Sequence, residues 1–186
     1  MSASSYHDEL CLAMNMLADD PRTLFIGQGV GECGGTTMSG TFRDVPKEKR
    51  IEFPVAEDLQ AGFCTGLSLT GLIPICVYPR WNFMLCAANQ IVNHLDRIGL
   101  YSDYRPKVII RVASPSRAPF YPGPQHDDDF HTAFRLMLRT TDMVALLDAD
   151  KIVGHYQRAL HSPRSTIIVE YSDFYRSEIA KERTGK

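Results

Sequence analysis

The sequence predicts an α/β domain built as a three-layer, doubly wound, mostly parallel sheet with helices on both faces. Two observations support this prediction. Strand-like and helix-like segments alternate along most of the 186 residues, as they do in parallel sheets whose strands are joined by helices. The strand-like segments are also short apolar runs rather than strict alternations, which is typical of strands covered by helices on both sides.

The first element is a helix predicted over residues 6–18. Leu10, Met14 and Leu17 recur there at helical spacing, so that one face of the helix is apolar. Ser5 and Asp8 stand at the spacing of a capping box, in which each side chain accepts a hydrogen bond from the backbone N–H of the other residue. We therefore expect the helix to begin directly after Ser5.

The remaining elements continue the alternation. The predicted strands, each a short apolar run, cover residues 23–26, 50–54, 73–78 and 107–112. The predicted helices between them cover residues 56–70 and 82–98. A helix, a strand, a helix and a strand follow the long loop 113–129, and the last strand ends at Glu170. We expect one domain over residues 1–176 and a flexible tail over residues 177–186, where seven of ten residues are charged or polar.

Charge and cysteine content exclude several classes of protein. The net charge is -2 and no basic stretch is present, so neither nucleic acid nor an anionic membrane is an expected partner. The first residues lack the basic end and apolar run of a signal peptide. The five cysteines are odd in number and form no C-x-x-C pair, which predicts small buried thiols in a reducing cytoplasm rather than disulfides or zinc ligands.

Ligands of doubly wound sheets bind beyond the carboxyl ends of the strands. The loops at that edge are predicted at residues 27–40, 54–57, 79–82 and 113–129. The last of them has seventeen residues and four prolines, and a loop of that length is more often functional than accidental. A functional site is therefore expected where these four loops meet.

Glu57 is the candidate acid of that site. On position alone it is a first-turn charge favoured by the helix dipole, like Asp58 beside it. The surrounding residues point elsewhere, because they form one long pattern at fixed spacing: Phe53-Pro54-Val55-Ala56-Glu57, then Ala61-Gly62, Gly66, Gly71 and Pro74-Ile75-Cys76. The pattern continues through Asn82-Phe83, Ala88, Gln90-Ile91-Val92-Asn93 and Gln125-His126.

This pattern closely resembles the pyrimidine-binding domain of the beta subunit of pyruvate dehydrogenase, within the transketolase-like group of thiamine diphosphate enzymes. The resemblance is most specific over residues 51–129. It implies the thiamine diphosphate-binding fold. It also implies that Glu57 is the catalytic acid that hydrogen-bonds the pyrimidine ring nitrogen of the cofactor and thereby favours its reactive imino form.

The resemblance assigns two further residues. Phe83 matches the aromatic residue that stacks on the cofactor's pyrimidine, although a core aromatic at a helix start is the plain alternative. His126 matches the histidine that reaches the substrate side of the cofactor, although a histidine among acids can simply be a solvated loop residue. The run from His126 to His131 holds two histidines and three acids, but no defined element holds them in a ligand polyhedron, and we predict no metal site there.

Three departures from the family pattern concern the pocket. Pro79 stands where relatives carry a larger apolar residue beside the cofactor, and Gln28 with Gly29 stands where they often carry an acidic pair. Pro79 and Gln28 are therefore expected at the cofactor. Arg80 replaces a small polar residue, and it could either bind an anionic group of the substrate or pair with a surface acid.

The half of the site that holds the diphosphate is missing from this sequence. No Gly-Asp-Gly motif occurs, so a partner resembling the alpha subunit is expected to bind the diphosphate and most of the Mg²⁺, in a heterotetramer. The carboxyl-terminal domain of the relatives is also absent. Decarboxylase, dehydrogenase and transketolase-type activities on a 2-oxo acid or ketose therefore remain open, beside a non-catalytic regulatory or binding module and an unrelated domain with a metal at the acidic loop.

Overall fold

The computed structural model describes residues 5–34, 36, 38–115 and 121–175. Within them, six strands form one sheet in the order β2-β1-β3-β4-β6-β5, and every neighbouring pair is parallel. The strands are β1 (Thr23–Gly27), β2 (Arg50–Glu52), β3 (Ile73–Tyr78), β4 (Ile109–Ser114), β5 (Asp142–Ala145) and β6 (Thr166–Tyr171). The helices are α1 (Tyr6–Ala18), α2 (Glu57–Ser68), α3 (Trp81–Cys86), α4 (Ile98–Tyr101), α5 (His131–Met137) and α6 (Ile152–His161).

Helices cover both faces of this sheet, so the predicted three-layer fold is confirmed. One apolar cluster joins α1 and α6 to the sheet, and another joins α2, α3 and α5 to its opposite face. The capping box at the start of α1 is present, since the Ser5 side chain accepts from Asp8 N–H and the Asp8 side chain accepts from Ser5 N–H. The predicted tail 177–186 lies outside the described residues, and its separation from the domain stays a prediction.

The chain reverses its direction of winding between β1 and β3. These two strands are neighbours in the middle of the sheet, while β2 lies on the far side of β1. The backbones of β1 and β3 approach closely at their carboxyl ends, where a Cβ on Gly27 would meet the carbonyl oxygen of Val77 at 2.5 Å. Such a switch point opens a crevice between the loops that follow the two strands.

The prediction of one long helix over residues 82–98 is wrong. α3 ends at Cys86, a π-helical segment spans Gln90–Leu95, and α4 is a separate short helix. Asp96 marks the end of the π-helical segment. Its N–H donates to the carbonyl of Ile91, five residues back, at 2.9 Å, and its carboxylate is held by a different part of the chain. Hydrophobic periodicity does not reveal such a polar, long-range contact.

Asp96 fastens this irregular helix to the turn between α5 and β5. Its carboxylate accepts backbone N–H groups from Arg139 at 3.0 Å, Thr140 at 2.9 Å and Thr141 at 2.8 Å. Burial opposes the charge of Asp96, but these N–H groups outweigh it and lower the pKa of the carboxyl group below its ordinary value. The buried aspartate therefore organises a turn at the amino-terminal edge of the sheet.

The cysteine prediction is only partly correct. Cys64 and Cys76 are buried, as expected of small apolar thiols, but Cys86 is exposed and Cys11 and Cys33 are half-buried. All five are free thiols.

A buried ion pair lies in the layer between the sheet and helices α1 and α6. Arg111 on β4 and Glu170 on β6 are both fully buried, and Arg111 Nη2 donates to Glu170 Oε2 at 2.9 Å. Tyr156 donates to the same carboxylate at 2.7 Å, and Arg111 Nη1 donates to Thr41 at 2.8 Å. Burial alone would lower the pKa of Arg111, but Glu170 outweighs it and raises that pKa.

We expect Glu170→Gln to lower the free energy of unfolding by about 3–5 kcal/mol, because the substitution leaves the Arg111 guanidinium buried without its counter-charge. The double variant Arg111→Met/Glu170→Gln should lose no more than the worse single variant, since neither charge is then left unpaired. Urea unfolding at neutral pH measures the free energy of unfolding of Glu170→Gln, of Arg111→Met and of the double variant. Additive losses in the double variant would show that the two residues do not act as a unit.

Candidate functional site

The candidate site lies at the carboxyl ends of β1, β2 and β3. Because all strands are parallel, the residues that follow these three strands meet at one edge of the sheet. They include Gln28 after β1, Glu57 at the start of α2, and Pro79 and Arg80 after β3. The loop that carries His126 follows β4 and reaches the same edge.

Glu57 is buried, with 9% of its surface exposed. It is the first residue of α2, and the hydroxyl of Tyr78 donates to its main-chain carbonyl at 3.0 Å, which fixes the start of the helix against β3. Gln28 Nε2 donates to Glu57 Oε1 at 3.4 Å. Gln60, one turn further on, donates to the carbonyl of Val77 at 3.0 Å. The carboxyl group thus stands at the crevice on a backbone held from both sides.

A second acid, Glu52, holds the loop that presents Gln28. Its Oε1 accepts the N–H of Gly29 and its Oε2 accepts the N–H of Gly31, each at 2.7 Å. Gly29 has a φ of 72°, a left-handed conformation that glycine adopts without strain. A Cβ on Gly31 would lie 2.8 Å from the Glu52 Cβ. Both glycines are therefore required by the contact with Glu52.

Glu52 was not among the site residues predicted from the sequence. The available signal was weak: an acid between the two apolar residues Ile51 and Phe53, in a sequence that also contains a glycine-rich segment after β1. Its partners, the amides of Gly29 and Gly31, lie more than twenty residues away. Sequence spacing alone does not identify such a pairing.

Phe83 and His126 lie against each other. Their ring centroids are 5.5 Å apart with an angle of 36° between the planes, and both side chains are half-buried. His126 Nδ1 and the neighbouring Asn82 Oδ1 are buried without a hydrogen-bond partner among the described residues. Buried polar atoms of this kind usually have a partner, so this corner is suited to a ligand or to a second chain that supplies one.

Pro79 is buried directly after β3, and Arg80 is half-buried at the start of α3. In the described part of the chain, no carboxylate forms an ion pair with Arg80. The structure thus brings together Gln28 with Glu57, and Phe83 with His126. No hydrogen bond or ring contact between described residues joins these two pairs.

Neither a membrane-spanning helix nor a metal-binding cluster occurs among the described residues. Over the ranges that the structure describes, no helix has the length and apolarity needed to cross a membrane. The same ranges contain no cluster of three or more His, Cys, Asp or Glu side chains placed to hold a metal ion.

Comparison with solved structures defines the class of fold. A structure described as a split gene transketolase, an inactive beta4 tetramer, superposes with a TM-score of 0.69 over 90% of this chain and 51% of that chain, at 16% identity. Transketolase from Campylobacter jejuni gives a TM-score of 0.69 over 90% of this chain and 26% of that chain, at 17% identity. The chain therefore has the fold of a transketolase domain.

Sequence comparison gives the more particular similarity. The chain is 25% identical over 156 residues to the mitochondrial pyruvate dehydrogenase E1 component subunit beta of Drosophila melanogaster, covering 83% of this chain and 42% of that protein. It is 30% identical over 117 residues to the 2-oxoisovalerate dehydrogenase subunit beta of Bacillus subtilis, covering 60% and 36%. The mitochondrial pyruvate dehydrogenase E1 component subunit beta of Caenorhabditis elegans is 25% identical over 177 residues, covering 94% of this chain and 50% of that protein.

These relatives confirm the resemblance drawn from the sequence and, with the solved structures, a transketolase-like pyrimidine-domain fold. The chain spans half or less of the length of each of the three. No family model matches it. The roles of Glu57, His126, Phe83, Pro79, Gln28 and Arg80 stay predictions.

We expect Glu52→Ala to speed hydrogen exchange at the amides of Gly29 and Gly31, because both lose their acceptor, while amides in the middle of β1 remain protected. Glu48→Ala is the matched control, since Glu48 is an exposed acid ahead of the same strand. Amide exchange followed by NMR makes the comparison. Unchanged protection of both glycines in Glu52→Ala would contradict the assigned hydrogen bonds.

Proposed function

We propose that this chain is a subunit of a thiamine diphosphate-dependent enzyme acting on a 2-oxo acid or a ketose, and that it holds the aminopyrimidine ring of the cofactor. The observation that carries the proposal is the placement of Glu57: a buried carboxyl group at the switch point of a parallel sheet. The sequence similarity to subunits beta named as 2-oxo acid dehydrogenases supports the class of substrate.

The residues present fit the cofactor's pyrimidine end. Such a ring needs a flat apolar contact and polar groups at its nitrogen atoms. Phe83 offers a half-buried aromatic surface and His126 lies against it. Asn82 Oδ1 and His126 Nδ1 are both buried without a hydrogen-bond partner among the described residues. Glu57 offers a carboxyl group that, within the described residues, forms no ion pair and receives one hydrogen bond, from Gln28. A neutral ring with nitrogen acceptors and an amino donor suits this set.

Thiamine diphosphate, when bound, supplies a nucleophilic carbon and the means to stabilise a carbanion. The task of Glu57 is to hold a proton at its carboxyl group and share it with the pyrimidine ring nitrogen. Because Gln28 Nε2 donates to Oε1, Oε1 serves as an acceptor and Oε2 is left to carry that proton. Gln28 therefore orients the acid as well as contacting it.

Pro79 and Arg80 shape the remaining wall. The buried Pro79 presents its ring directly after β3, where the resemblance places the cofactor. Arg80 has no carboxylate partner in the described part of the chain, which favours the alternative that it binds an anionic group of the substrate. We propose that Arg80 and His126 face the substrate, with the histidine held in place by its contact with Phe83.

The site needs a second chain. Helix α2 carries Glu57 on its inner side but exposes large apolar residues outward: Val55 just ahead of it is 77% exposed, Leu59 60% and Phe63 40%. Exposed apolar residues grouped around one element mark a contact surface. We propose that an alpha-like subunit covers this surface and supplies the diphosphate site and the Mg²⁺ ligands, in a heterotetramer with two copies of each chain. The free thiols are consistent with the predicted cytoplasmic location.

We expect Glu57→Gln to preserve the fold and to lower the turnover of the assembled enzyme by about 10² to 10⁴, the usual effect of removing a general acid or base. Asp58→Asn, which neutralises an exposed neighbour in the same helical turn, should leave turnover close to that of the wild type. Steady-state kinetics of the reconstituted holoenzyme compares the two. Near-normal turnover in Glu57→Gln would exclude the proposed role.

We expect the isolated chain to bind no thiamine diphosphate in a calorimetric titration, and its mixture with the partner and Mg²⁺ to bind it. Leu59→Asp/Phe63→Asp should abolish both assembly and binding, because it puts charges into the proposed interface. Leu12→Asp, which charges an exposed leucine on α1, is the control. Tight Mg²⁺-dependent binding by this chain alone would contradict the divided site.

A further inference from the structure

A cavity of about 350 Å³ opens at the amino-terminal edge of the sheet, the edge opposite Glu57. Its walls are three turns: the one before β4, the one between α5 and β5, and the one between α6 and β6. The π-helical segment and α4 close it on the fourth side. The lining residues include the arginines Arg105, Arg139 and Arg164 and the apolar residues Leu95, Leu100 and Pro163.

The cavity is strongly positive in a chain whose net charge is -2. Three arginines line it, Arg105, Arg139 and Arg164, and no lining residue is acidic. The nearest carboxylates do not neutralise all three. Asp96 is buried and engaged by backbone N–H groups, and Asp142 pairs with Arg164 at 3.2 Å. In the described part of the chain, Arg105 and Arg139 have no carboxylate partner.

Two of these guanidinium groups are held in place by neutral acceptors. Arg105 Nη1 donates to the carbonyls of Ser102 at 2.6 Å and Tyr104 at 3.1 Å. Gly99 makes room for it, because a Cβ there would lie 3.1 Å from both the Cδ and the Nη1 of Arg105. Arg164 Nε donates to the carbonyl of Thr140 at 2.5 Å. Carbonyl acceptors fix the position of a guanidinium without cancelling its charge.

The third arginine stands on the turn that Asp96 organises. The carboxylate of Asp96 fixes the backbone N–H of Arg139 and of the two threonines after it. The broken helix that precedes Asp96 supplies Leu95 to the same cavity. Helical irregularities of the π type occur often at functional sites, and here the irregularity builds one wall of a charged cavity.

We propose that this cavity binds a phosphorylated small molecule. Guanidinium groups match phosphate oxygens in charge and in bidentate geometry. Arg105 and Arg139, which pair with no carboxylate of the described residues, together suit a group that carries two negative charges. Apolar atoms of Leu95, Leu100 and Pro163 provide a wall for the uncharged part of the ligand. The volume is at the small end of ligand pockets, which suits a monophosphate or diphosphate of low mass. The site is independent of the proposed cofactor site at the other edge.

Isothermal calorimetry of the full chain with inorganic pyrophosphate, at constant ionic strength, tests the proposal. We expect one saturable site. Arg105→Ala/Arg139→Ala should weaken its Kd by at least about tenfold, since both guanidinium groups that lack a carboxylate partner are removed. Arg139→Ala alone should also weaken it, and this variant is not expected to disturb the fold because no described residue bonds the Arg139 side chain. Arg43→Ala/Lys47→Ala removes the same charge from exposed positions ahead of β2 and should change the Kd less than about twofold.

Three outcomes would overturn the proposal. They are no saturable binding by the wild type, wild-type affinity in Arg105→Ala/Arg139→Ala, and equal weakening in the Arg43→Ala/Lys47→Ala control, which would indicate binding to net charge alone. None of them bears on Glu57. The proposed cofactor function is tested on the assembled enzyme, and the two proposals therefore fail separately.

Discussion

A buried carboxyl group loses the solvation of water and must obtain hydrogen bonds from elsewhere. Glu57 obtains one hydrogen bond within the described part of its chain, from Gln28 at 3.4 Å, although only 9% of its surface is exposed. The helix it starts, the strand that precedes it and the loop opposite all hold it there rather than release it to solvent. A carboxyl group kept in this state is suited to share a proton with a ligand.

The placement of Glu57 depends on contacts that are remote in the sequence. Tyr78, at the end of β3, holds its main-chain carbonyl, and Glu52, at the end of β2, holds the glycine-rich loop that presents Gln28. Each of these residues ends a strand of the same parallel sheet. The parallel arrangement is therefore the constraint that gathers them, and Gly27 at the end of β1 leaves room for the Val77 carbonyl of β3 beside it.

Several elements could be predicted because their signals are local. The capping box of Ser5 and Asp8 marks the start of α1, and the apolar run at Ile73–Tyr78 coincides with β3. Predicted β2 ran two residues too far, since the strand ends at Glu52 and only the N–H of Phe53 adds a further bond to β1, at 3.1 Å to the carbonyl of Gly27. Glu57 was found through a long pattern of residue types at fixed spacing, and the comparisons confirm the resemblance on which that pattern rests, though not the role of the residue.

What escaped prediction is polar and long-range. Asp96, at the end of the π-helical segment, bonds to a turn more than forty residues away, and Glu170 pairs with Arg111 across 59 positions of sequence. Apolar periodicity carries no information about such contacts. The same holds for the arginine-lined cavity, whose three arginines lie on three separate turns and become a group only when the sheet brings these turns to one edge.

The central claim is that the Glu57 carboxyl group activates the aminopyrimidine of thiamine diphosphate. The most direct test is the rate at which the cofactor's thiazolium C2 proton exchanges for deuterium in the holoenzyme assembled with its partner and Mg²⁺, compared between wild type and Glu57→Gln. This step precedes any substrate and needs no knowledge of the substrate's identity. We expect the exchange rate in the wild-type holoenzyme to be far above that of the free cofactor, and Glu57→Gln to lose most of this acceleration. Equal exchange in both, with the cofactor bound in both, would contradict it.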